Sequence, residues 1–537
     1  MTGGAKKMKV ISAEEAARLI PSGATVTVSG LLGNMVPEAV LEAIEHRFLV
    51  EGQPRAITEI HPWLYGWEDH TGLNHWAHEG LLRRIIGSTF ILPTCSKTAP
   101  INRFILDGYC EAYCWPANGI FQMLRAVGAR RKGFATTVGI DTFADPRRGG
   151  GKLNFRTTED LIRLIEIDGE EHLWYPSIPI DVALIRATSA DVQGNLSCER
   201  EGLRQAICVQ ATAAKNSGGI VIAEVRRLVE PGTVHPLMVE VPGHLVDYVV
   251  VNEQAKQWLY GQNAGDAEAT TGEVRMPLPP LAYPPLDAEK VAARRALCEI
   301  GGPGRVINVG AGIPTTLMPI TALEEGVYDD IVWSVEHGVF GGFCLAATHW
   351  NPTAITSPAW LLDYYHGGGL DAAFLSLAQV DRFGNVNVGR LGDQLPGPGG
   401  FTDIAGSTRK VVFVGTFSGN NMDVAVGDGR LEVRCEGKAS RFVPDVEMVC
   451  FSGRRALQLG QEALYITERA VFRLRSEGLV LEEVAPGVDV RRDILERIPF
   501  PVKVSLDLRP MDERLFREEP LFLGLEWQEQ RRLSIAR

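Results

Sequence analysis

The feature that constrains this chain most is a partial internal repeat. The sequence Asp-Val-Gln-Gly-Asn-Leu-Ser begins at Asp191, and the similar sequence Asp-Arg-Phe-Gly-Asn-Val-Asn begins at Asp381. Each follows an apolar run, residues 182–185 and 373–377, of the kind that forms a buried strand. A strand that runs into a glycine turn is typical of α/β domains, and its recurrence indicates two related copies of one domain.

A second, weaker match extends the two copies. The run that ends at Gly30 and the run that ends at Gly310 are further apart than Asp191 and Asp381, so the copies carry unequal insertions. Between them, residues 261–286 are rich in Gly, Ala, Asp and Thr and contain five prolines, a composition typical of an exposed linker. The sequence therefore predicts an α/β chain of two open domains that arose by internal duplication. Their predicted bounds are residues 1–261 and 287–537, with a linker of residues 262–286.

Length and composition exclude several classes of protein. At 537 residues the chain is too long for one core, since single cores stop growing at about 250–300 residues. The net charge of −12 argues against nucleic acid, which binds basic surfaces. No apolar run approaches the ~20 residues of a membrane span, and none follows residues 1–10 to complete a secretory signal. The nine scattered cysteines fit reduced thiols, so we expect a cytoplasmic protein that binds neither nucleic acid nor membrane.

The clearest candidate for chemistry is a glutamate at the end of a predicted strand. Residues 331–335 form a short apolar run that leads into Glu336 and then into glycines at 338, 341 and 342. Open α/β sheets bind ligands at the carboxyl ends of their strands, and glycines let the backbone approach a substrate closely. A carboxylate in this place can act as a covalent nucleophile, although most glutamates at strand ends are solvated or cap a helix.

Glu336 and the glycines after it resemble the active-site signature of the family I CoA-transferases. The resemblance is to the fused acetate or propionate CoA-transferases and the 3-oxoacid CoA-transferases. It covers about residues 9–515, nearly the whole chain, with its motifs in the expected order. Those motifs are residues 142–152, 179–195, 308–314, 336–342, 367–388, 397–401 and 465–469.

The resemblance implies a ping-pong enzyme in which Glu336 carries the acyl group and then CoA. The carboxylate would attack an acyl-CoA to give a mixed anhydride, and the released thiolate would return to form a glutamyl-CoA thioester. An acceptor carboxylate would then reverse these steps. The implied partners are short-chain acyl-CoA and carboxylate substrates, with coenzyme A as a substrate, no permanently bound cofactor, no metal, and a homodimer or homotetramer.

The resemblance also assigns roles to further residues. Backbone N–H groups of the glycine-rich loops would stabilise the oxyanions that form along the reaction. The residues implied to line the CoA channel are Gly310, Gly312, Gly338, Gly341, Gly342, Asn385, Gly397, Gly399 and Gly400.

One departure from the family concerns the oxyanion site. Where members carry Pro-Gln-Gly, this chain has Pro-Ala-Asn-Gly at residues 116–119. Either Asn118 replaces the Gln amide with a shorter side chain, or the backbone alone serves. The implied oxyanion and substrate residues are Asn118, Gly30 and Gly33.

Two other clusters have both a functional and a structural interpretation. His70, His75 and His78 have a spacing compatible with a metal site, but interleaved tryptophans favour packing or capping. The basic residues 130–132 or 147–148 could hold the CoA phosphates, whereas a solvated surface cluster is the ordinary explanation.

Two alternative functions stay open on the sequence alone. An acyl-CoA hydrolase could use the same glutamate with water as the final acceptor. A CoA-binding sensor without turnover is favoured by the missing Gln, whereas Glu336, Gly341 and Gly342 argue against it.

Overall fold

The computed structural model describes residues 8–66, 69–92, 99–255, 258–259, 262–263, 268–278, 280–345 and 348–535. Two large sheets organise the chain, one built from each half. The α-helices are Ala13–Arg18, Glu38–Glu51, Pro100–Leu106, Ala117–Gly128, Ile207–Asn216, Glu268–Thr271, Ala288–Leu297, Ile313–Thr316, Met318–Glu324, Pro358–His366, Phe401–Ser407, Gly453–Leu459 and Leu523–Ile535. Short 3-10 helices are Gly72–Trp76, Pro146–Arg148, Pro236–Met238, Gly243–Leu245, Cys298–Ile300, Tyr328–Asp330, Leu495–Arg497 and Glu513–Phe516, and Val490–Ile494 is a π-helix.

The first sheet has eight strands along its main path, and every neighbouring pair is parallel. Their order across the sheet is Lys9–Val10, Tyr248–Val251, Ile220–Val229, Val182–Asp191, Thr25–Val28, Ile57–His61, Leu82–Gly87 and Glu111–Cys114. Two short strands, Leu196–Ser197 and Val239–Val241, extend the sheet with antiparallel pairing. All ten residues of Val182–Asp191 are buried, as expected for a central parallel strand that is covered on both faces.

The second sheet is parallel at its centre, is extended on both sides by antiparallel pairs, and ends at one edge in a further parallel pair, Gly478–Val484 with Lys503–Pro510. Its order is Ala354–Ile355, Val339–Phe340, Val332–Val335, Val306–Val309, Ala372–Ser376, Lys410–Val414, Glu462–Ile466, Ala470–Arg475, Gly478–Val484 and Lys503–Pro510. The five strands from Val332–Val335 to Glu462–Ile466 pair in parallel. This parallel core corresponds to the centre of the first sheet.

Smaller sheets lie outside the two large ones. One has three strands, Gly133–Thr136, Glu170–Pro176 and Arg163–Ile167. Five are two-stranded: Trp258–Leu259 with Gln262–Asn263, Phe343–Leu345 with Thr348–Trp350, Gln379–Val380 with Val386–Asn387, Ser418–Gly419 with Ala439–Ser440, and Asp423–Gly427 with Arg430–Cys435.

Strand register confirms that the two sheets are related. Ala183 lies between Thr27 and Val221 in the first sheet. Its counterpart in the repeat, Ala373, lies between Asn308 and Val411 in the second. The offset from Val221 to Val411 equals the offset from Ala183 to Ala373, so the repeat runs from one strand to the next without net insertion. The predicted α/β class with two related domains is thus confirmed.

The segment predicted as a linker is partly packed. Ala269 and Thr270 are buried in a short helix, and the Ala269 carbonyl accepts the N–H of Asn351 at 2.8 Å. Most of the described residues between 272 and 285 are exposed, as the proline-rich composition predicts. Residues 264–267 and 279 of the segment lie outside the described residues. The local hydrogen bonds therefore attach the helix of this segment to the second half of the chain.

Among the described residues, no helix combines the length and the apolar character that a bilayer span requires.

Candidate active site

Glu336 stands at the carboxyl end of a central strand of the second sheet. It follows Val332–Val335 directly, and its side chain is 23% exposed. The neighbouring His337 places Nε2 3.6 Å from Glu336 Oε1. Glu336 therefore stands at a strand end, as the sequence predicts, and its carboxyl group is accessible to a ligand.

The strand behind Glu336 is fixed by buried hydroxyl groups. The hydroxyl of Tyr365 donates to Ser334 Oγ at 2.8 Å, and Asn308 Nδ2 donates to the Tyr365 oxygen at 3.3 Å. Ser334 Oγ in turn donates to the Ile307 carbonyl at 2.7 Å. Burial raises the pKa of Tyr365, and the charge of Glu336 raises it further, so Tyr365 stays protonated and can donate.

The Glu336 carboxyl group lies against a glycine loop, defined here as Gly397–Gly400. A Cβ atom added to Gly400 would overlap Glu336 Oε2, and one added to Gly399 would lie 3.6 Å from Oε1. Gly397 and Gly399 have φ values of 76° and 58°, in the left-handed region that favours glycine. Glycine is thus required in this loop both by the backbone and by the close approach of the carboxylate.

The glycine loop is held by residues of the first half of the chain. Gly399 N–H donates to the Ser88 carbonyl at 3.1 Å, and Ala117 N–H donates to the Gly399 carbonyl at 3.1 Å. Phe90 N–H donates to the Pro396 carbonyl at 2.9 Å. The site is therefore built between the two halves, with the nucleophile candidate on one and the clamp on the other.

Aromatic rings lie beside the glycine loop and His337. Trp63 is 1% exposed, and its six-membered ring lies 3.5 Å from a Cβ placed on Gly400. The ring also meets His337 edge-on, with centroids 5.5 Å apart, and Phe121 at 5.7 Å. Sequence reasoning missed Trp63, because a lone tryptophan after a strand carries no signal of its own.

The other predicted CoA-binding glycines divide into two groups. Gly310 and Gly312 lie at the carboxyl end of Val306–Val309, the parallel neighbour of the Glu336 strand, and Gly312 is exposed. Parallel neighbours end at the same edge of a sheet, so this turn shares its edge with Glu336. By contrast Gly338, Gly341 and Gly342 would each place a Cβ against residues of the segment 350–356, so local packing accounts for them.

Asn385 is held by its own turn. Its Nδ2 donates to Asp381 Oδ2 at 2.9 Å, and its Oδ1 accepts the N–H of Gly453 at 3.0 Å. Asn195 in the first half makes the equivalent bonds, with Nδ2 to Asp191 and Oδ1 from Gly243, both at 2.9 Å. The Asn385 amide therefore has a structural role, and the predicted role in CoA binding would use the same group.

The side chain of Asn118 points into a polar cluster between the halves. Its Nδ2 lies 3.4 Å from Asp363 Oδ1 and 3.4 Å from the His366 ring, and its backbone N–H donates to Asp403 Oδ2 at 3.0 Å. These residues line a cavity of about 240 Å³. The neighbouring Ala117 backbone, rather than the Asn118 amide, is what the structure places on the glycine loop.

Gly30 and Gly33 lie at the carboxyl edge of the first sheet. A Cβ on Gly30 would come within 2.7 Å of Tyr65, and Gly33 lines a cavity of about 460 Å³ together with Arg186 and Glu224. Burial raises the pKa of Glu224 to about 7, against the opposing charge of Arg186. Asn252 Nδ2 donates to the same carboxyl group at 2.9 Å.

The predicted histidine cluster forms ion pairs. His75 bonds Glu45 through Nδ1 at 2.6 Å and Glu38 through Nε2 at 2.9 Å. Burial would lower the pKa of His75, but the two carboxylates outweigh it and raise the pKa to about 9. His78 Nε2 also lies 2.6 Å from Glu45. Both ring nitrogens of His75 are thus engaged by carboxylates.

The basic pair at 147–148 lines a groove of about 360 Å³ between the halves, together with Lys152 and Arg390. Arg147 pairs with Asp145 and Glu171, and Arg148 pairs with Asp141. A role in holding phosphates would therefore compete with existing ion pairs.

The chain is similar to known proteins over most of its length. The family model described as coenzyme A transferase matches residues 10–252. A caffeate CoA-transferase of Acetobacterium woodii is 40% identical over 525 residues, covering 95% of this chain and 98% of its own. The acetate CoA-transferase YdiF of Escherichia coli is 39% identical over 516 residues, covering 95% of each chain.

Solved structures give the same relationship. The apoenzyme of the acyl-CoA transferase YdiF from Escherichia coli aligns with a TM-score of 0.89 at 37% identity, over 96% of this chain and 97% of its own. A second crystal structure of that protein, described as a thioester complex with CoA, aligns with a TM-score of 0.88 over the same shares.

Proposed function

Since the chain belongs to the coenzyme A transferase family and is a CoA-transferase, we propose that it moves CoA between carboxylic acids through a glutamyl-CoA thioester on Glu336. The observation that carries the proposal is the position of the Glu336 carboxyl group. It stands at a strand end, partly exposed, and is pressed against a glycine loop that the other half of the chain clamps.

The first half-reaction exchanges one acyl bond for another. A Glu336 carboxylate oxygen attacks the thioester carbonyl, the C–S bond breaks, and CoA leaves as a thiolate from a mixed anhydride. The thiolate then attacks the glutamyl carbonyl and expels the donor acid as a carboxylate. In the second half-reaction an acceptor carboxylate takes the place of the donor acid and the same steps run in reverse.

Each step passes through an oxyanion that the protein has to stabilise. The loop Gly399–Gly400 supplies the backbone nearest to the carboxyl group, and the absence of side chains there leaves room for a tetrahedral carbon. Removing one fixed donor to an oxyanion typically costs about 3–4 kcal/mol in the barrier. The N–H groups of Gly397 and Gly399 already bind the carbonyls of Gly389 and Ser88, so the backbone N–H of Gly400, and not the amide of Asn118, is the proposed oxyanion donor.

Both covalent intermediates are prone to hydrolysis, so water has to be kept from Glu336. Trp63 is almost fully buried, lies against the Gly400 backbone that the Glu336 carboxyl contacts, and packs on Phe121. An apolar wall on one side of the site supports the transferase over the hydrolase alternative, because it limits the water that can reach the covalent intermediates.

The names of the relatives suggest which acids to test. One relative acts on caffeate and another on acetate, and their identities to this chain are nearly equal at 40% and 39%. We propose short-chain monocarboxylates as the first substrates, with an arylpropenoate acid as the competing class.

Intact-protein mass after mixing with propionyl-CoA and no acceptor tests the mechanism. We expect an adduct with the mass of CoA less one water on the wild type, discharged by adding acetate or caffeate. Glu336→Gln should lack the adduct, while Glu273→Gln, an exposed control, should form it. An adduct on Glu336→Gln would refute the assignment. Free propionate without an adduct would indicate a hydrolase, and an intact thioester with bound CoA would indicate a sensor.

A further inference from the structure

We propose that the buried pair Glu59 and His61 positions the glycine loop and, through it, the carboxylate of Glu336. The proposal rests on Glu336 being the nucleophile. Glu59 and His61 are two residues apart on the strand Ile57–His61, so their side chains project from the same face. Both side chains are fully buried.

Hydrogen bonds fix which nitrogen of His61 carries a proton. Nδ1 lies 2.6 Å from Glu59 Oε2, and Nε2 lies 2.9 Å from the carbonyl oxygen of Thr89. A carbonyl only accepts, so Nε2 has to donate, whichever partner holds the proton between Nδ1 and Glu59. The second Glu59 oxygen accepts the Tyr65 hydroxyl at 3.0 Å. Glu59 thus orients the ring so that His61 binds Thr89.

The ring is also confined by its neighbours. Tyr65 and Phe90 meet it edge-on, with centroids 5.5 Å and 5.7 Å away. A Cβ on Gly87 would overlap the imidazole. These neighbours hold the His61 ring in one position, from which Nε2 donates to the Thr89 carbonyl.

Thr89 connects this pair to the glycine loop. Its Oγ1 accepts the N–H of Leu64 at 2.6 Å, and its Cα would lie 2.7 Å from a Cβ on Gly397. Its Cγ2 lies 3.3 Å from the corresponding position on Gly399, the residue that adjoins Glu336 Oε1. The flanking residues Ser88 and Phe90 make the backbone bonds that clamp the loop. A shift of Thr89 would therefore shift the surface against which the Glu336 carboxyl rests.

A purely structural explanation predicts a different outcome. Replacing a buried ionisable pair by apolar or neutral groups of similar size is often neutral for stability. A loop displaced by about 1 Å can lower a reaction rate by about 100-fold. The positioning role therefore predicts a loss of kcat that exceeds any loss of stability.

The test compares three variants of the full-length protein. Glu59→Gln/His61→Leu removes the donor to Thr89 without leaving a lone buried carboxylate. Glu59→Gln/His61→Gln keeps a donor near the position of Nε2 and likewise leaves no lone buried carboxylate. Glu45→Gln/His75→Gln is the control, since it removes another contact of a buried histidine with a carboxylate, on the helix Glu38–Glu51 and not at the clamp. The readouts are kcat and KM for CoA transfer, thermal midpoint, and the single-turnover rate of glutamyl-CoA formation.

We expect Glu59→Gln/His61→Leu to lower kcat and the single-turnover rate by about 10- to 100-fold, with KM changed less than about 3-fold. Glu59→Gln/His61→Gln should stay within about 3-fold of the wild type in kcat, and so should the control. An unchanged kcat in the folded Glu59→Gln/His61→Leu variant, an equal loss in the control, or no rescue by Glu59→Gln/His61→Gln would overturn the proposal. A wild type that forms no glutamyl-CoA adduct would instead contradict the proposed transferase mechanism, which this design detects separately.

Discussion

In the first sheet Ile60 pairs with Thr27, and in the second Ser334 pairs with Asn308. Because Thr27 and Asn308 flank the related residues Ala183 and Ala373, these two pairs occupy equivalent places. Two residues further along the strands stand Pro62 in the first half and Glu336 in the second. The duplicated strand end therefore carries a nucleophile candidate in one copy and a side chain without any acid–base chemistry in the other.

The residue that lies against the strand end also differs between the two copies. By the offset that relates Asp191 to Asp381, Gly400 corresponds to Gln210, whose Nε2 donates to the Val28 carbonyl at 2.9 Å. Gln210 is fully buried, so its side chain fills space at the end of a strand. In the second half that place has no side chain, and the carboxyl of Glu336 lies against it. Two local replacements thus separate the scaffold copy from the copy that carries the site.

The equivalent strand ends also meet each other. By the strand register Trp63 is the counterpart of His337, and their rings are in edge-on contact. Contact between equivalent residues is the mark of a two-fold relation, here an approximate one within a single chain. The first half therefore contributes to the site by facing it: its strand end supplies the aromatic wall and the clamp.

The largest effect is expected from placing a side chain at Gly400, where the first half has Gln210. In Gly400→Ala the new Cβ would overlap Glu336 Oε2 and displace the carboxyl group, so CoA transfer should fall by about 100-fold or more. The measurement is steady-state transfer from propionyl-CoA to acetate. Gly427→Ala, where a Cβ meets no described atom within 4 Å, is the matched control and should behave as the wild type. Retention of more than a tenth of the activity by Gly400→Ala would break the comparison.

Burial of a carboxyl group in only one copy gives a second difference. Glu224 is fully buried, whereas Val414 stands at the corresponding place in the second copy. The pKa of Glu224 rises from 4.5 to about 7. A raised pKa in the folded state means that the group favours folding while it is protonated, and that this contribution is lost as the pH rises towards 7. At 1.36 kcal/mol per pKa unit the loss amounts to about 3 kcal/mol.

Glu224→Gln should remove that pH dependence. We expect the wild type to lose stability relative to Glu224→Gln between about pH 4.5 and pH 7, measured as thermal midpoints in matched buffers. Val414→Ala serves as a control for a buried change at the equivalent place, and its effect should not vary over this range. A constant difference between wild type and Glu224→Gln would show that Glu224 does not titrate there.

Several parts of this comparison could be predicted from sequence, and several could not. The repeat of Asp-x-x-Gly-Asn at Asp191 and Asp381 predicted the duplicated fold, because a turn of this kind is specified by local residues. Glu336 could be placed because it follows an apolar run directly. The clamp of Ser88 on Gly399 could not be predicted, since it joins residues from opposite halves whose contact depends on how the halves pack. The direction of Asn118 depends on the same packing.

The two copies of the turn offer a third test. Asn385→Ala and Asn195→Ala each remove a bond to an aspartate and a bond from a glycine N–H. Asn385 is only 6% exposed, whereas Asn195 is half-buried, so the groups left unpaired are harder for water to reach in the second copy. We expect a loss of about 2 kcal/mol for Asn385→Ala and about 1 kcal/mol for Asn195→Ala, from urea unfolding.

The same pair of variants separates structure from ligand binding at Asn385. A purely structural amide predicts that KM for acyl-CoA moves equally little in both variants under conditions where they are folded. A KM that rises only in Asn385→Ala would instead support the CoA-binding role that the family resemblance implies.

The smallest effect is expected where the two halves begin. The first helix of the first half starts after Ser12, whose Oγ accepts the N–H of Glu15 while the Glu15 carboxylate accepts the N–H of Ser12 at 2.8 Å. The first long helix of the second half starts after Asp287, which accepts the N–H of Lys290 at 2.9 Å. Ser12→Ala and Asp287→Ala should each cost about 1 kcal/mol in the free energy of unfolding. CoA transfer should stay unchanged in both, because no hydrogen bond among the described residues joins either cap to the clamp. If Asp287→Ala alone lowered kcat, the start of the second half would have to be coupled to Glu336, and the view that catalysis depends on local replacements at one strand end would need revision.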